Sequence, residues 1–380
     1  MKVVWCFKVC VTVAVAFAGT MVAVQSGAAE QAGGRFSDGC RLPEGRWQLS
    51  CLREAYGAAP VNWPRPTVDA GVAWQELAQV PVQAPEPADN PSTPEKVALG
   101  RKLFFDTRIS RKGEAACATC HQPARSFTDG KALAVGDEAM QGRRRSQTLF
   151  GAPFAPRGLF WDGRAATLEQ QVLMPIANTF ELNHSLDQVT ASLSRLPDYR
   201  PLYEAAFGKR SPQSSDVANA LASFVRTIRP APSRFDQFLQ GQTTALTEQE
   251  ILGLHLFRTK ARCMNCHSGP LMTDFQFHDL GLSFYGRRNQ DLGRFEVTRD
   301  KAHLGQFKTP SLRGISQAAP YMHNGIFPNL IGTIRMYNNA MGSVTGKPGD
   351  PYVPKKSSLI HKLNLTEDEM AALVAWLETL

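Results

Sequence analysis

Apolar residues recur at helical spacing along most of the chain, and strict alternation of the kind that marks strands is scarce. The cleanest helix start is Thr93 followed by Pro94: a threonine N-cap, a proline at the first helical position, then Val97, Leu99, Leu103 and Phe104 on one stripe. Similar periodicity predicts helices at about 166–174, 185–195, 198–207 and 214–228. Thr247 with Glu250 forms a capping box that opens a helix through Ile251, Leu254 and Phe257. Thr366 with Glu369 forms another, ahead of Met370, Leu373, Val374 and Leu377. The glycine-rich stretch from Gly281 to Gly293 reads as loop.

The first ninety residues differ from this pattern. Lys2 and Lys8 flank a basic start, Val9 to Val24 is an apolar run, and Gly27-Ala28-Ala29 offers small residues before Glu30. That order predicts an export signal over 1–29, removed in the mature protein. The run holds about 16 residues against the ~20 a membrane-spanning helix needs, which argues against a retained anchor. No other stretch is apolar enough to span. Residues 30–90 are rich in Ala, Gly and Pro and close on Pro81-Val82-Gln83-Ala84-Pro85-Glu86-Pro87, which reads as an N-terminal extension and linker.

Without the signal, 40 basic residues face 34 acidic ones. The mild positive balance suits docking to an acidic protein. It is too diffuse for nucleic acid, because Arg143-Arg144-Arg145 is the one tight basic cluster, and that reads as a solvated or anion-pairing loop.

Cysteine supplies the chemistry. Cys117-Ala118-Thr119-Cys120-His121 and Cys263-Met264-Asn265-Cys266-His267 are two Cys-x-x-Cys-His motifs. In such a motif two thiols bind the vinyl groups of a haem and the histidine ligates its iron, so His121 and His267 are the expected proximal ligands of two covalent c-type haems. A helix precedes each motif and another closes each half. The expected fold is therefore mostly α, a tandem of two cytochrome c-like domains over 91–242 and 243–380, joined near Pro230 to Gln242. Cys6 and Cys10 leave with the signal, so only Cys40 and Cys51 remain. An oxidising periplasm lets them pair, with two free thiols the alternative.

Several further blocks carry a resemblance. Phe160-Trp161-Asp162-Gly163-Arg164-Ala165 is followed by Leu168-Glu169-Gln170-Gln171 and Pro175-Ile176. Later come Ser233-Arg234-Phe235-Asp236, Gly269-Pro270-Leu271-Met272-Thr273-Asp274 and Ala319-Pro320-Tyr321-Met322-His323-Asn324-Gly325. Over roughly 91–380 the chain resembles the bacterial dihaem cytochrome c peroxidases and the related MauG enzymes. The resemblance implies that Trp161 lies between the haems and relays electrons or radical character. It also implies that Glu181 moves the proton during peroxide cleavage, and that Gln171 and Pro175 stand in the same distal pocket. The competing readings are an ordinary core tryptophan and a helix-flanking surface acid. The other tryptophans (Trp5, Trp47, Trp63, Trp74 and Trp376) read as signal, surface or packing residues, and His184 as a loop histidine rather than a ligand.

Two departures point to the MauG-like branch. The peroxidases carry a histidine in the loop after the first motif, whereas no histidine lies between His121 and Trp161 here. The first haem is then expected to be open to peroxide without prior reduction. The peroxidases also place a methionine fourteen residues past the histidine of the Pro-Tyr-x-His block. Counting from His323 gives Tyr337, with Met336 and then Met341 as alternatives. A tyrosinate favours oxidised iron, whereas a methionine raises the potential. Calcium is a doubtful third cofactor, because Arg145 stands where the family usually has asparagine. Arginine cannot ligate the ion, although its charge can replace it.

The resemblance thus implies a periplasmic MauG-like enzyme that uses hydrogen peroxide to reach a bis-Fe(IV)-type state and oxidises Trp or Tyr of a partner protein. The alternatives are a cytochrome c peroxidase fed by a small cytochrome or copper protein, and a non-catalytic dihaem electron carrier.

Overall fold

The structure is a computed structural model and describes residues 39–380, apart from 157, 209, 210, 345 and 348. The expected signal over 1–29 lies outside the described residues. Among those described, no helix is long and apolar enough to cross a membrane.

The chain is mostly helical. The main helices are α1 (Leu49–Tyr56), α2 (Pro94–Phe105), α3 (Leu168–Ala177), α4 (Leu186–Arg195), α5 (Arg200–Phe207), α6 (Ser214–Val225), α7 (Arg234–Leu239), α8 (Glu248–Arg258), α9 (Leu330–Asn338) and α10 (Glu367–Leu377). Among the described residues a single short sheet pairs β1 (Phe277–Asp279) antiparallel to β2 (Gln306–Lys308), with Phe277 opposite Lys308 and Asp279 opposite Gln306. The 281–293 stretch is irregular, as its glycines suggest.

The caps read from sequence are formed. The Thr93 hydroxyl accepts from the Lys96 amide. Thr247–Glu250 and Thr366–Glu369 each close a reciprocal capping box. Helix ends differ more. α3 runs on to Ala177 through Pro175, which has no N–H to give the Gln171 carbonyl, and the helix ends two residues later. α6 stops at Val225, ahead of the turn that leads into Arg229-Pro230, where a residue before proline disfavours helix.

Two hydrophobic cores form. One gathers residues from Leu99 to Ile228, including Leu103, Phe104, Ile176, Leu221 and Phe224. The other gathers residues from Phe235 to Leu380 and takes in Cys40, Leu52, Tyr56, Trp63 and Leu77 of the extension. Each core is organised by one close helix crossing, α2 on α6 and α8 on α10. Glycine permits both. A Cβ on Gly100 would meet the Ala220 carbonyl oxygen at 1.9 Å, and one on Gly253 would meet that of Ala372 at 2.0 Å. Only a residue without a side chain lets the backbones approach that far.

The extension thus contributes to the second core. The Cys40–Cys51 disulfide, with Cα atoms 5.5 Å apart, ties its first loop to α1. That helix buries Leu52 and Tyr56 against α8. Residues 230–242, where the halves were expected to join, hold α7, whose Phe235 and Phe238 are buried in the same core. Arg313 ties α7 down through Asp236 at 2.9 Å.

Candidate functional site

Both Cys-x-x-Cys-His motifs fold into single helical turns, Cys117–Cys120 and Cys263–Asn265. In each, the histidine N–H returns to the carbonyl of the first cysteine, at 2.9 Å for His121 and 2.8 Å for His267. This gathers both thiols and the imidazole at one cavity wall. The imidazoles are then oriented in the same way. Nδ1 of His121 donates to the Phe127 carbonyl at 2.9 Å, and Nδ1 of His267 donates to the Met272 carbonyl at 2.9 Å. A carbonyl only accepts, so Nδ1 carries the proton and Nε2 keeps its lone pair for a metal. Phe127 and Met272 both have left-handed backbone, with φ of 55° and 51°, which is uncommon outside glycine and aims each carbonyl at its histidine. Burial lowers the pKa of both imidazoles and keeps them neutral.

The first cavity is lined by His121, Gln171, Pro175, Asn178 and Glu181, among others. Gln171 and Pro175 are four residues apart on α3 and share a face. Glu181 sits in the following loop. Its Oε1 accepts from Asn178 Nδ2 at 2.6 Å, and burial raises its pKa despite nearby Arg164. The backbone beneath it is fixed: the Asp137 amide donates to the Glu181 carbonyl at 2.6 Å, and a Cβ on Gly136 would meet that oxygen at 2.2 Å. Among the described residues lining this cavity there is no second histidine and no methionine. His184 lines neither this cavity nor the next.

The second cavity contains His267 and one face of α9: Leu330, Thr333, Ile334 and Tyr337. These positions follow helical spacing, so Met336, rotated ~100° from Tyr337, falls off that face. Neither Met336 nor Met341 lines the cavity, but Met322 does. Met322 was not anticipated, since it belongs to a block read for His323. Burial raises the pKa of the Tyr337 phenol.

Trp161 lines both cavities. It is 6% exposed, donates from Nε1 to the Arg145 carbonyl at 3.0 Å, and accepts at its own carbonyl from the Lys308 amide at 2.8 Å. Arg145 also lines both cavities. Its Nη2 donates to the Ala318 carbonyl at 2.5 Å, while its buried Nε has no partner. Burial lowers its pKa to about 10.

Of the two readings of the arginine triplet, a solvated or an anion-pairing loop, solvation holds for Arg143 alone. Only Arg143 is exposed, pairing with Glu296 at 3.0 Å. Arg144 spans Asp162 at 2.5 Å and Asp291 at 2.7 Å with little solvent contact. The partners explain the difference, because Asp162 and the 291–296 segment, which carries Asp291 and Glu296, lie far from the triplet in sequence and only the tertiary fold brings them to it. Among the described residues, three potential metal ligands converge only at Cys266, Asp274 and His278, beside the second motif and not at the triplet.

Comparison with known proteins agrees with this geometry. The family model described as di-haem cytochrome c peroxidase matches residues 94–244. The methylamine utilization protein MauG of Methylophilus methylotrophus is 39% identical over 280 residues, covering 71% of this chain and 82% of that protein. The cytochrome-c peroxidase IdrP1 of Pseudomonas sp. (strain SCT) is 33% identical, covering 87% of this chain and 90% of that one. A crystal structure of a MauG-like protein associated with microbial copper homeostasis superposes with a TM-score of 0.69 at 30% identity, covering 82% of this chain and 95% of that chain.

Proposed function

Because the chain belongs to the di-haem cytochrome c peroxidase/MauG family, a haem-dependent oxidoreductase acting with hydrogen peroxide and carrying two c-type haems, we propose that it works in the MauG manner. In this reading it uses peroxide to oxidise Trp or Tyr residues of a docked partner protein, in the periplasm after signal removal.

The residues present suit the cofactor. Cys117 and Cys120, and Cys263 and Cys266, would hold the two macrocycles, and Nε2 of His121 and His267 would be free to ligate the irons. The unpartnered Nε of Arg145, on the wall shared by both cavities, suits a propionate. When bound, the haems would supply the redox-active iron that peroxide chemistry needs. Glu181 takes the proton from one peroxide oxygen and delivers it to the other, a role that needs a carboxylate whose pKa lies above its ordinary range. Gln171 and Pro175 shape the space beside it. Trp161 connects the two sites, since a large indole π system in a shared wall divides one long electron step into two short ones.

One observation carries the MauG reading: the side chain that α9 presents to the cavity of His267 is Tyr337, not Met336. Once bound to iron in the cavity of His267, Tyr337 as a phenolate would favour the oxidised metal and so suit storage of oxidising power over collection of electrons. Adding peroxide to the all-ferric holoprotein tests this. Both haem absorption bands are expected to change without prior reduction, and Tyr337→Met should lose the long-lived oxidised state. Reaction only after one haem is reduced would favour the second reading, a cytochrome c peroxidase with a small redox protein as donor. Met322 at the second cavity and the likeness to IdrP1 are the observations on that side. No reaction in either state would leave an electron carrier.

A further inference from the structure

The most unusual buried cluster outside the two cavities lies where the extension meets α8. Tyr56, His255 and Arg258 are each no more than 1% exposed. The Tyr56 hydroxyl is 3.0 Å from Nδ1 of His255 and accepts from Nη1 of Arg258 at 3.2 Å. With the hydroxyl accepting from arginine, its own proton points to Nδ1. His255 Nε2 is buried and has no partner. Arg258 is held in place by the Pro64 carbonyl at 2.6 Å and by Glu76.

None of this serves packing alone, because three polar side chains are taken out of water and one nitrogen is left unsatisfied. The cluster backs onto the second site. Phe257 and Ala261 line the cavity of His267. His255, two residues before Phe257, is turned ~200° around the helix axis and so faces away from that cavity across one helix thickness, ~10 Å. Aromatic rings continue outward. Trp63 lies 5.3 Å from the Tyr56 ring, and half-buried Trp47 meets the His255 ring edge-on at 4.6 Å.

We infer that Tyr56, hydrogen-bonded to His255, is a proton-coupled redox site fed by the second haem, with Trp47 as its exit to the surface of the extension. The inference rests on the peroxide chemistry proposed above as its source of oxidising equivalents. In the step itself, Tyr56 loses one electron to the oxidised haem centre, which is reduced by one. The phenolic O–H bond breaks, its proton forms an N–H bond at Nδ1 of His255, and a neutral tyrosyl radical stands beside an imidazolium. Burial and the Arg258 charge lower the His255 pKa to about 4, so the imidazole is neutral at rest and free to accept. The same repulsion makes it a weak base. Only a strong oxidant then drives the transfer, and the proton returns once the radical is filled. The disulfide that fixes α1 holds the phenol at hydrogen-bond distance.

The test is freeze-quench electron paramagnetic resonance of the holoprotein after one equivalent of peroxide, with haem absorbance followed in parallel. A tyrosyl signal is expected that narrows in protein made with ring-deuterated tyrosine and is lost in Tyr56→Phe. In His255→Gln the hydrogen-bond-sensitive g value should shift, and Trp47→Phe should lengthen the radical's life. A tyrosyl signal that survives Tyr56→Phe overturns the inference, as does its absence while both haem bands change. 3-Fluorotyrosine placed at position 56 alone gives the same assignment without removing the phenol, should Tyr56→Phe fold poorly: a signal without fluorine splitting overturns the inference. If the haem bands do not respond to peroxide, the peroxide reading fails instead. Flash-quench oxidation with photogenerated ruthenium(III) then decides the matter: a radical at Tyr56 supports the site, and one elsewhere overturns it.

Discussion

Replacing Glu181 with glutamine removes a charge and little else. The side chains are nearly the same size, and the glutamine carbonyl can still accept from Asn178 Nδ2, now 2.6 Å from Oε1. The backbone is pinned independently by the Asp137 amide and the contact at Gly136. What is lost is a base. A positioned general base contributes ~10²–10⁴ in rate, or ~3–5 kcal/mol of barrier, so the reaction with peroxide should slow by about that factor. Stopped-flow absorbance of the haem band at limiting peroxide reads it directly. The pH profile adds a second signature. Burial raises the Glu181 pKa above the ordinary ~4.3, so in the native enzyme the rate should fall as pH drops through that raised value. Glu181→Gln should lack this limb. The sign for stability is opposite. A carboxyl whose folded pKa is raised costs stability as pH rises through that pKa, so the variant should melt at the same temperature or higher near pH 7. A variant that reacts within a factor of about three of the native rate, or keeps the acid limb, would refute the role of Glu181 as base.

Three further outcomes are expected. Trp161→Phe keeps an aromatic ring in the shared wall but not the indole N–H to Arg145, so peroxide should still alter the first haem band while the second stays ferric; equal responses of both bands would show that Trp161 is not the connection. Gly253→Ala should lose ~1–3 kcal/mol, because a Cβ 2.0 Å from the Ala372 carbonyl outweighs the ~1 kcal/mol alanine gains over glycine in a helix. Urea unfolding midpoints measure it, and an unchanged midpoint would mean the two helices part freely. His255, surrounded by Tyr56, Trp47 and Arg258, has a folded pKa of about 4 against ~6.5 when unfolded, so the unfolded chain binds its proton first. Stability should fall by ~3 kcal/mol as pH drops from ~6.5 to about 4, and His255→Gln should flatten that part of the urea-midpoint profile.

The sequence by itself determined the features whose partners lie within a few residues. A helical turn of five residues suffices to gather Cys117, Cys120 and His121, or Cys263, Cys266 and His267, and the caps at Thr93, Thr247 and Thr366 each close over three. The order of such local units also announced a repeat and a mostly helical chain. Tertiary structure decided whatever depends on residues distant in the chain. Spacing alone left Tyr337 and Met336 in competition; the packing of α9 against the second core chose which side chain meets the cavity. Sequence left Arg144 and Arg145 between solvated and anion-pairing readings, and their partners Asp162, Asp291 and the Ala318 carbonyl come from distant parts of the chain. Composition marked residues 30–90 as an extension and linker without saying what they pack against, and Leu52, Tyr56 and Trp63 are core residues of the second half. Glycine content did not distinguish Gly100 and Gly253 from loop glycines, because the need for a missing side chain arises only where another helix's carbonyl arrives. Local hydrogen bonds are encoded at short range and can be read there. Burial and orientation are properties of the assembled cores, and it is those that set the chemistry opposite each histidine.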